Sequence, residues 1–140
     1  MKRRTLARAT AVKFLYMLDI RGEATVDLDE YLANASRVPE VADYARRIIT
    51  GVREQREVID TRLRAVAEHW TLERMAGVDR NILRVGVWEL LMGGGEVPPA
   101  AVMDEAIALA RLYGDAGSSA FVNGVLDKIA REGPAPADGG

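Results

Sequence analysis

Apolar residues along this chain recur every three to four positions, the period of a helix that buries one face, and no run alternates as a half-buried strand would. Ala7, Ala11, Phe14, Leu15 and Leu18 form one stripe from about Arg4 to Ile20, with Gly22 as the stop. A short helix follows around Asp27 to Ala35. Pro39 then opens a long one, carrying Val41, Ala45, Ile48, Val52, Ile59, Leu63, Val66 and Trp70 on one face. Gly51 interrupts that stripe and is expected to bend or split the helix.

Residues 71–77 read as a capped turn, with Asp79 able to cap the next helix, whose inward positions are Leu83, Val87, Leu90 and Leu91. Gly93, Gly94 and Gly95 end that helix. Pro98 and Pro99 begin another, with Val102, Ala106, Leu109, Ala110 and Tyr113 inward and Gly114 at its end. The last helix runs from about Ser118, a candidate N-cap, to Arg131, on the stripe Val122, Val125, Leu126 and Ile129. The expectation is an all-α protein of about seven helices.

With 140 residues the chain is expected to form one domain over 1–132, built from helical halves at about 1–70 and 71–132. Residues 133–140 offer nothing to bury and are expected to be a disordered tail. Cysteine is absent, so disulfides and thiolate metal sites are excluded. His69 is the sole histidine, which leaves imidazole-based metal sites and hydrolase triads short of parts. No 7–15-residue apolar run follows the charged start, and none reaches the ~20 residues of a membrane span. A soluble, cytoplasmic protein without cofactor or metal is the expectation.

Charge changes this picture at one place. The chain is formally −2, yet residues 1–13 hold Lys2, Arg3, Arg4, Arg8 and Lys13 and no acidic residue. A local basic arm on a near-neutral protein is the electrostatic footprint of a phosphate backbone, although a solvated helix end looks the same. Lys2, Ala9, Lys13 and Tyr16 lie opposite the apolar stripe of the first helix, a face suited to a nucleic-acid strand. Arg8 lies nearer the apolar edge, where an internal carboxylate competes with any ligand. Phe121 precedes the stripe of the last helix, beside its free N–H groups. There it would serve either as a platform for a stacked base or as a packing residue.

Catalytic readings fare worse. Glu89, Asp104 and Glu105 are carboxylates without an evident pocket, and Glu89 and Glu105 have candidate partners in Arg84 and Arg8 across helices. Trp70 and Trp88 fall on or beside helical stripes and read as core. The three consecutive glycines lack the Lys-Ser/Thr and preceding strand of a phosphate loop.

The motifs 8–16, 70–80 with 82–84 and 88–90, 97–99 with 104–106 and 109–110, and 121–127 resemble, in order and spacing, those of the NusB family of bacterial transcription antitermination factors. The resemblance extends from about residue 3 to residue 130. It implies an all-α fold of two packed helical subdomains, and it implies binding of single-stranded boxA RNA from ribosomal RNA transcripts. The small-subunit ribosomal protein NusE would bind with it, as part of an RNA polymerase antitermination complex. Arg3, Arg4 and Arg8 match the family's arginine motif, and Phe121 the aromatic beside the RNA path, with Lys2, Lys13, Tyr16 and Ser118 on the same expected surface. Asp79, with Arg80, matches the position facing the ribosomal protein. Lys13 stands where Gln is common and Gly117 where a polar or acidic residue often sits, departures that bear on RNA specificity. Relatives differ in whether they form a homodimer.

Two other classes fit parts of the pattern. One is an RNA-recruiting relative of the N-terminal domain of ribosomal RNA cytosine methyltransferases. The other is a helical protein–protein scaffold. A DNA-binding helix-turn-helix fits least, because no two-helix unit presents a basic second helix.

Overall fold

The computed structural model describes residues 2–22, 26–67 and 71–134, and within them there are seven α-helices, a single 3-10 turn and no strand. Helix α1 spans Arg3–Arg21 and ends at Gly22, whose φ of 85° lets its N–H turn back to the Leu18 carbonyl at 2.9 Å. Helix α2, Leu28–Ala35, is capped by the Asp27 carboxylate, which accepts the N–H groups of Asp29 and Glu30. Helix α3 spans Pro39–Glu54, with proline in its first turn as predicted.

Helix α4 spans Arg56–Val66. The long stripe is therefore divided, but at Gln55 and not at Gly51. Gln55 donates to the Gly51 carbonyl at 3.0 Å and accepts from Ile59 at 2.9 Å, so hydrogen bonding carries across the junction. The role of Gly51 is one of space. A Cβ there would lie 2.0 Å from Trp88 Nε1.

A 3-10 turn at Leu72–Arg74 leads into α5, Gly77–Leu91. Helix α6 is Pro99–Tyr113 and α7 is Ser118–Glu132. Helix α5 is the hub, packing against α1, α3, α4, α6 and α7. Arg8 of α1 meets Glu89 near the end of α5, and Asp19 of α1 meets Arg80 and Arg84 near its start, so these two helices run antiparallel. One contiguous apolar cluster joins every helix. It includes Phe14, Ile48, Leu63, Leu83, Leu109 and Leu126. Burying each such side chain contributes about 1.5–3 kcal/mol.

The predicted stripes are buried with few exceptions: Leu90 and Leu91 are half-buried, and Tyr113 is 37% exposed. Ala9, expected on the exposed face of α1, is buried because α3 and α5 flank that helix. His69, Trp70 and most of the expected tail, residues 135–140, lie outside the described residues. Among the described residues no helix is long and apolar enough to cross a membrane.

Polar contacts fix the register of α5. Arg84 is buried and donates to Asp60 Oδ1 at 2.8 Å and Oδ2 at 3.1 Å, and to both oxygens of Asp19. Burial pushes the Asp19 carboxyl up, but the Asn81 amide with Arg84 and Arg80 outweighs it and holds the group below its ordinary 3.8. A depressed carboxyl contributes stability that is complete above the unfolded pKa of about 3.9 and is lost as pH falls through the lower folded value. Asp19→Asn is therefore expected to flatten the acid limb of stability, read as urea midpoints from about pH 5 downward. Superimposable acid limbs would assign the acid response to other carboxylates.

Candidate RNA and partner surfaces

The sequence-predicted residues separate into two groups, one near each end of α5. Arg4 and Tyr16 are twelve residues apart on α1, about 18 Å along its axis.

The first group surrounds the start of α1. Lys2 precedes the helix and is exposed, with its carbonyl accepting the Leu6 N–H at 2.9 Å. Arg3 is exposed and pairs with Glu40 at the start of α3. Arg4 places its guanidinium 4.5 Å from the centroid of the Tyr44 ring and 3.5 Å from Glu96. Arg47 joins the same ring from α3 at 5.6 Å and also lies 6.0 Å from the Trp88 ring.

Arg8 is different. Only 4% exposed, it donates through Nε and Nη2 to the two oxygens of Glu89, at 2.7 and 2.9 Å, and Glu89 is 3% exposed. The Tyr44 hydroxyl donates to Glu89 Oε2 at 2.6 Å, and Thr5 donates to Glu105 at 2.8 Å beside them. Burial alone would pull the Arg8 guanidinium down, but Glu89, Tyr44 and Glu105 raise it above its ordinary value. Burial first, then the bond to Glu89, pushes the Tyr44 phenol up to about 12. Of the two options at the apolar edge, Arg8 takes the internal carboxylate. As part of the core it is unavailable to a ligand unless that pair opens.

The second group gathers at the starts of α5 and α7. The Tyr16 ring lies over Gly77, where a Cβ would come within 2.6 Å of Cε2. Lys13 is exposed, and its ammonium lies 5.0 Å from the centroid of the outward-facing Tyr113 ring.

Three expectations are corrected here. Ser118 is not the N-cap of α7; Gly117 takes that place. The Ser118 hydroxyl accepts the Asp115 N–H and donates to Asp79 Oδ2, both at 2.9 Å. Asp79 is likewise not an exposed cap. It sits inside the first turn of α5, buried at 9% exposure, with Oδ1 lacking a hydrogen-bond partner among the described residues. A cavity of about 460 Å³ opens there, lined by Asp79, Ser118, Phe121, Asp115, Arg74 and Met75. Phe121 is half-buried, combining a packing contact with the core and a face on this cavity. Arg80, expected beside Asp79 on a partner face, turns away to Asp19 and to the Leu72 carbonyl.

The sequence pattern does not single out Tyr44, Arg47 or Glu96. Tyr44 flanks the apolar positions Val41, Ala45 and Ile48 and is hidden among them, whereas Arg47 lies three residues further on, about one helical turn along.

A helical bundle with a guanidinium–aromatic surface near one end of its central helix, and near the other a cavity walled by Phe121 and the buried Asp79 carboxylate, has the make-up of a recognition protein. Comparison with known proteins gives the particular kind: the NusB family model matches residues 5–131, and the chain belongs to that family. The transcription antitermination protein NusB of Anaeromyxobacter dehalogenans is 45% identical over 130 residues, covering 91% of this chain and 90% of that protein. The T. maritima NusB structure superimposes with a TM-score of 0.83 at 35% identity, covering 99% of this chain and 96% of that one. A crystal structure of the antitermination factors NusB and NusE in complex with double-stranded RNA matches with a TM-score of 0.79 at 30% identity, over 94% of this chain and 98% of that one.

Proposed function

We propose that this protein is a transcription antitermination factor that binds boxA RNA of ribosomal RNA transcripts together with the ribosomal protein NusE. The observation that carries this reading is the likeness, over 94% of the chain, to a NusB solved with NusE and RNA. The chemistry of the chain agrees with it. Lys2, Arg3 and Arg4 supply cations at the start of α1, and phosphate contacts of this kind set affinity without reading sequence. Sequence would be read from unstacked bases, for which Tyr16 and Phe121 offer aromatic faces. In this reading Lys13 adds a further cation on the exposed face of α1, and Arg8 supports the surface from within.

Within the second group NusE is assigned to Asp79 alone, whose buried carboxylate has a spare acceptor at the wall of the cavity. A donor from a basic partner would satisfy it, and the cost of leaving such an oxygen unpaired favours that contact. The protein then works by assembly within the elongating RNA polymerase complex in the cytoplasm, with no chemical step of its own.

The test is a gel shift with boxA RNA, single-stranded and duplex in separate arms, and a scrambled RNA as control. This protein and NusE together are expected to shift single-stranded boxA at lower concentration than either alone, with the scrambled strand left behind. Equal shifts of boxA and scrambled RNA, with no gain from NusE, would remove the reading.

A further inference from the structure

Arg4, on α1, and Arg47, on α3, converge on a single atom of the loop between α5 and α6. Arg47 Nη1 lies 3.0 Å and Arg4 Nη2 3.5 Å from the same oxygen, Oε2 of Glu96. Gly94 and Gly95, with φ of 76° and 74°, give that loop the left-handed turn that precedes Glu96. All three side chains are about half exposed, at 49%, 48% and 46% for Arg4, Arg47 and Glu96. Both guanidiniums are also held against the Tyr44 ring, and Tyr44 is itself fixed by its bond to the buried Glu89.

Two guanidiniums beside one aromatic ring and meeting one oxygen make a clamp for an oxyanion, and Arg presents a planar fork that matches phosphate. We propose that Arg4, Arg47 and Tyr44 form a phosphodiester-binding site for the RNA backbone, and that Glu96 occupies it in the free protein as a carboxylate stand-in for the phosphate. The inference deepens the RNA-binding reading above and rests on it. It adds a binding residue outside the basic arm, Arg47, and a residue that opposes binding, Glu96.

The energetics allow the exchange. Exposed ion pairs of this kind are weak, so an incoming phosphate can displace the carboxylate without disturbing the core. The cation–π contacts with Tyr44 restrain the guanidiniums once Glu96 leaves, so less ordering remains to be done on binding. The same pairing lowers the net positive potential of the surface toward other polyanions.

The two arms of the test carry opposite signs. Arg47→Ala is expected to weaken boxA RNA binding about fivefold at low salt, and to reduce the slope of log affinity against log salt by roughly 0.7, the value of one single-strand phosphate contact. Glu96→Gln is expected to tighten binding about two- to fivefold at low salt, the scale of an exposed ion pair, with the gain shrinking as salt rises. Fluorescence anisotropy of labelled single-stranded boxA RNA reads both, and titration with NusE, expected to be unchanged in both variants, checks that each is folded and intact. Wild-type protein binding boxA while both variants match it would overturn the inference and leave the RNA-binding reading standing. Glu96→Gln weakening the RNA would overturn it too, since the carboxylate would then be ordering the arginines for the ligand. Failure of the wild-type protein to prefer boxA over scrambled RNA would instead strike the underlying reading.

Discussion

Glu89→Ala is expected to destabilise the protein by about 3–5 kcal/mol, a large share of the ~5–15 kcal/mol that holds a domain of this kind together. Glu89 accepts from Arg8 through both oxygens and from the Tyr44 hydroxyl, and it joins α1, α3 and α5 at one point. Its removal leaves a guanidinium that is 4% exposed without its main partner, and a phenol without an acceptor. The pair as a whole need not add stability over an apolar substitute, but a lone buried charge is costly. Urea denaturation should therefore rank Glu89→Ala well below wild type, while the simultaneous change Arg8→Met/Glu89→Leu recovers much of the loss. A single-variant cost under ~1 kcal/mol would mean that water reaches Arg8 in the folded protein. Arg4 shares the Tyr44 ring with this network, so the same variant should also weaken RNA binding in whatever fraction stays folded.

Most of the fold is legible in the sequence because burial follows helical period. Phe14, Ile48, Leu63, Val87, Val122 and Leu126 are core residues in the sequence pattern and in the structure. Helix ends are legible where the residue type itself determines the backbone, as at Gly22 and Pro39. They are less so where several residues could serve. Ser118 has the chemistry of an N-cap, yet its hydroxyl goes to Asp79, a residue 39 positions away in the chain.

The candidate sites are legible as a set of charges and not as an arrangement. Periodicity places Arg8 at the edge of a stripe, with carboxylates on other helices as candidate partners. Which of them it meets depends on how α1 lies along α5, a relation that local spacing does not contain. Arg47 shows the converse. It is one of many arginines on exposed helix faces, and only the approach of α1 and the Glu96 loop makes it part of a cluster. Tyr113 reads as core from its phase, but it closes the last turn of α6, where Lys13 offers its ring an exposed cation contact instead.

Gly51→Ala sets two effects of known size against each other. Alanine is favoured over glycine in a helix interior by about 1 kcal/mol, so on propensity alone the change should stabilise α3. Against this, the new Cβ would lie 2.0, 2.4 and 2.9 Å from Trp88 Nε1, Cε2 and Cδ1. These atoms belong to a rigid ring in a side chain that is 7% exposed, not to the free end of a flexible one. Overpacking of that kind costs about 1–3 kcal/mol, and three sub-contact distances put it at the upper end. The expected net effect is a loss of about 2 kcal/mol, measured by urea denaturation. Adding Trp88→Leu should relieve the clash, so that the double variant is more stable than the sum of the two single changes by at least ~1 kcal/mol. Additive changes, or a Gly51→Ala protein as stable as wild type, would show that the ring can move aside at little cost. Trp88 also backs the Arg47 guanidinium. A ring displaced by the added methyl group should therefore loosen the Arg4–Arg47 clamp, and boxA affinity should recover only in part when Trp88→Leu restores the packing.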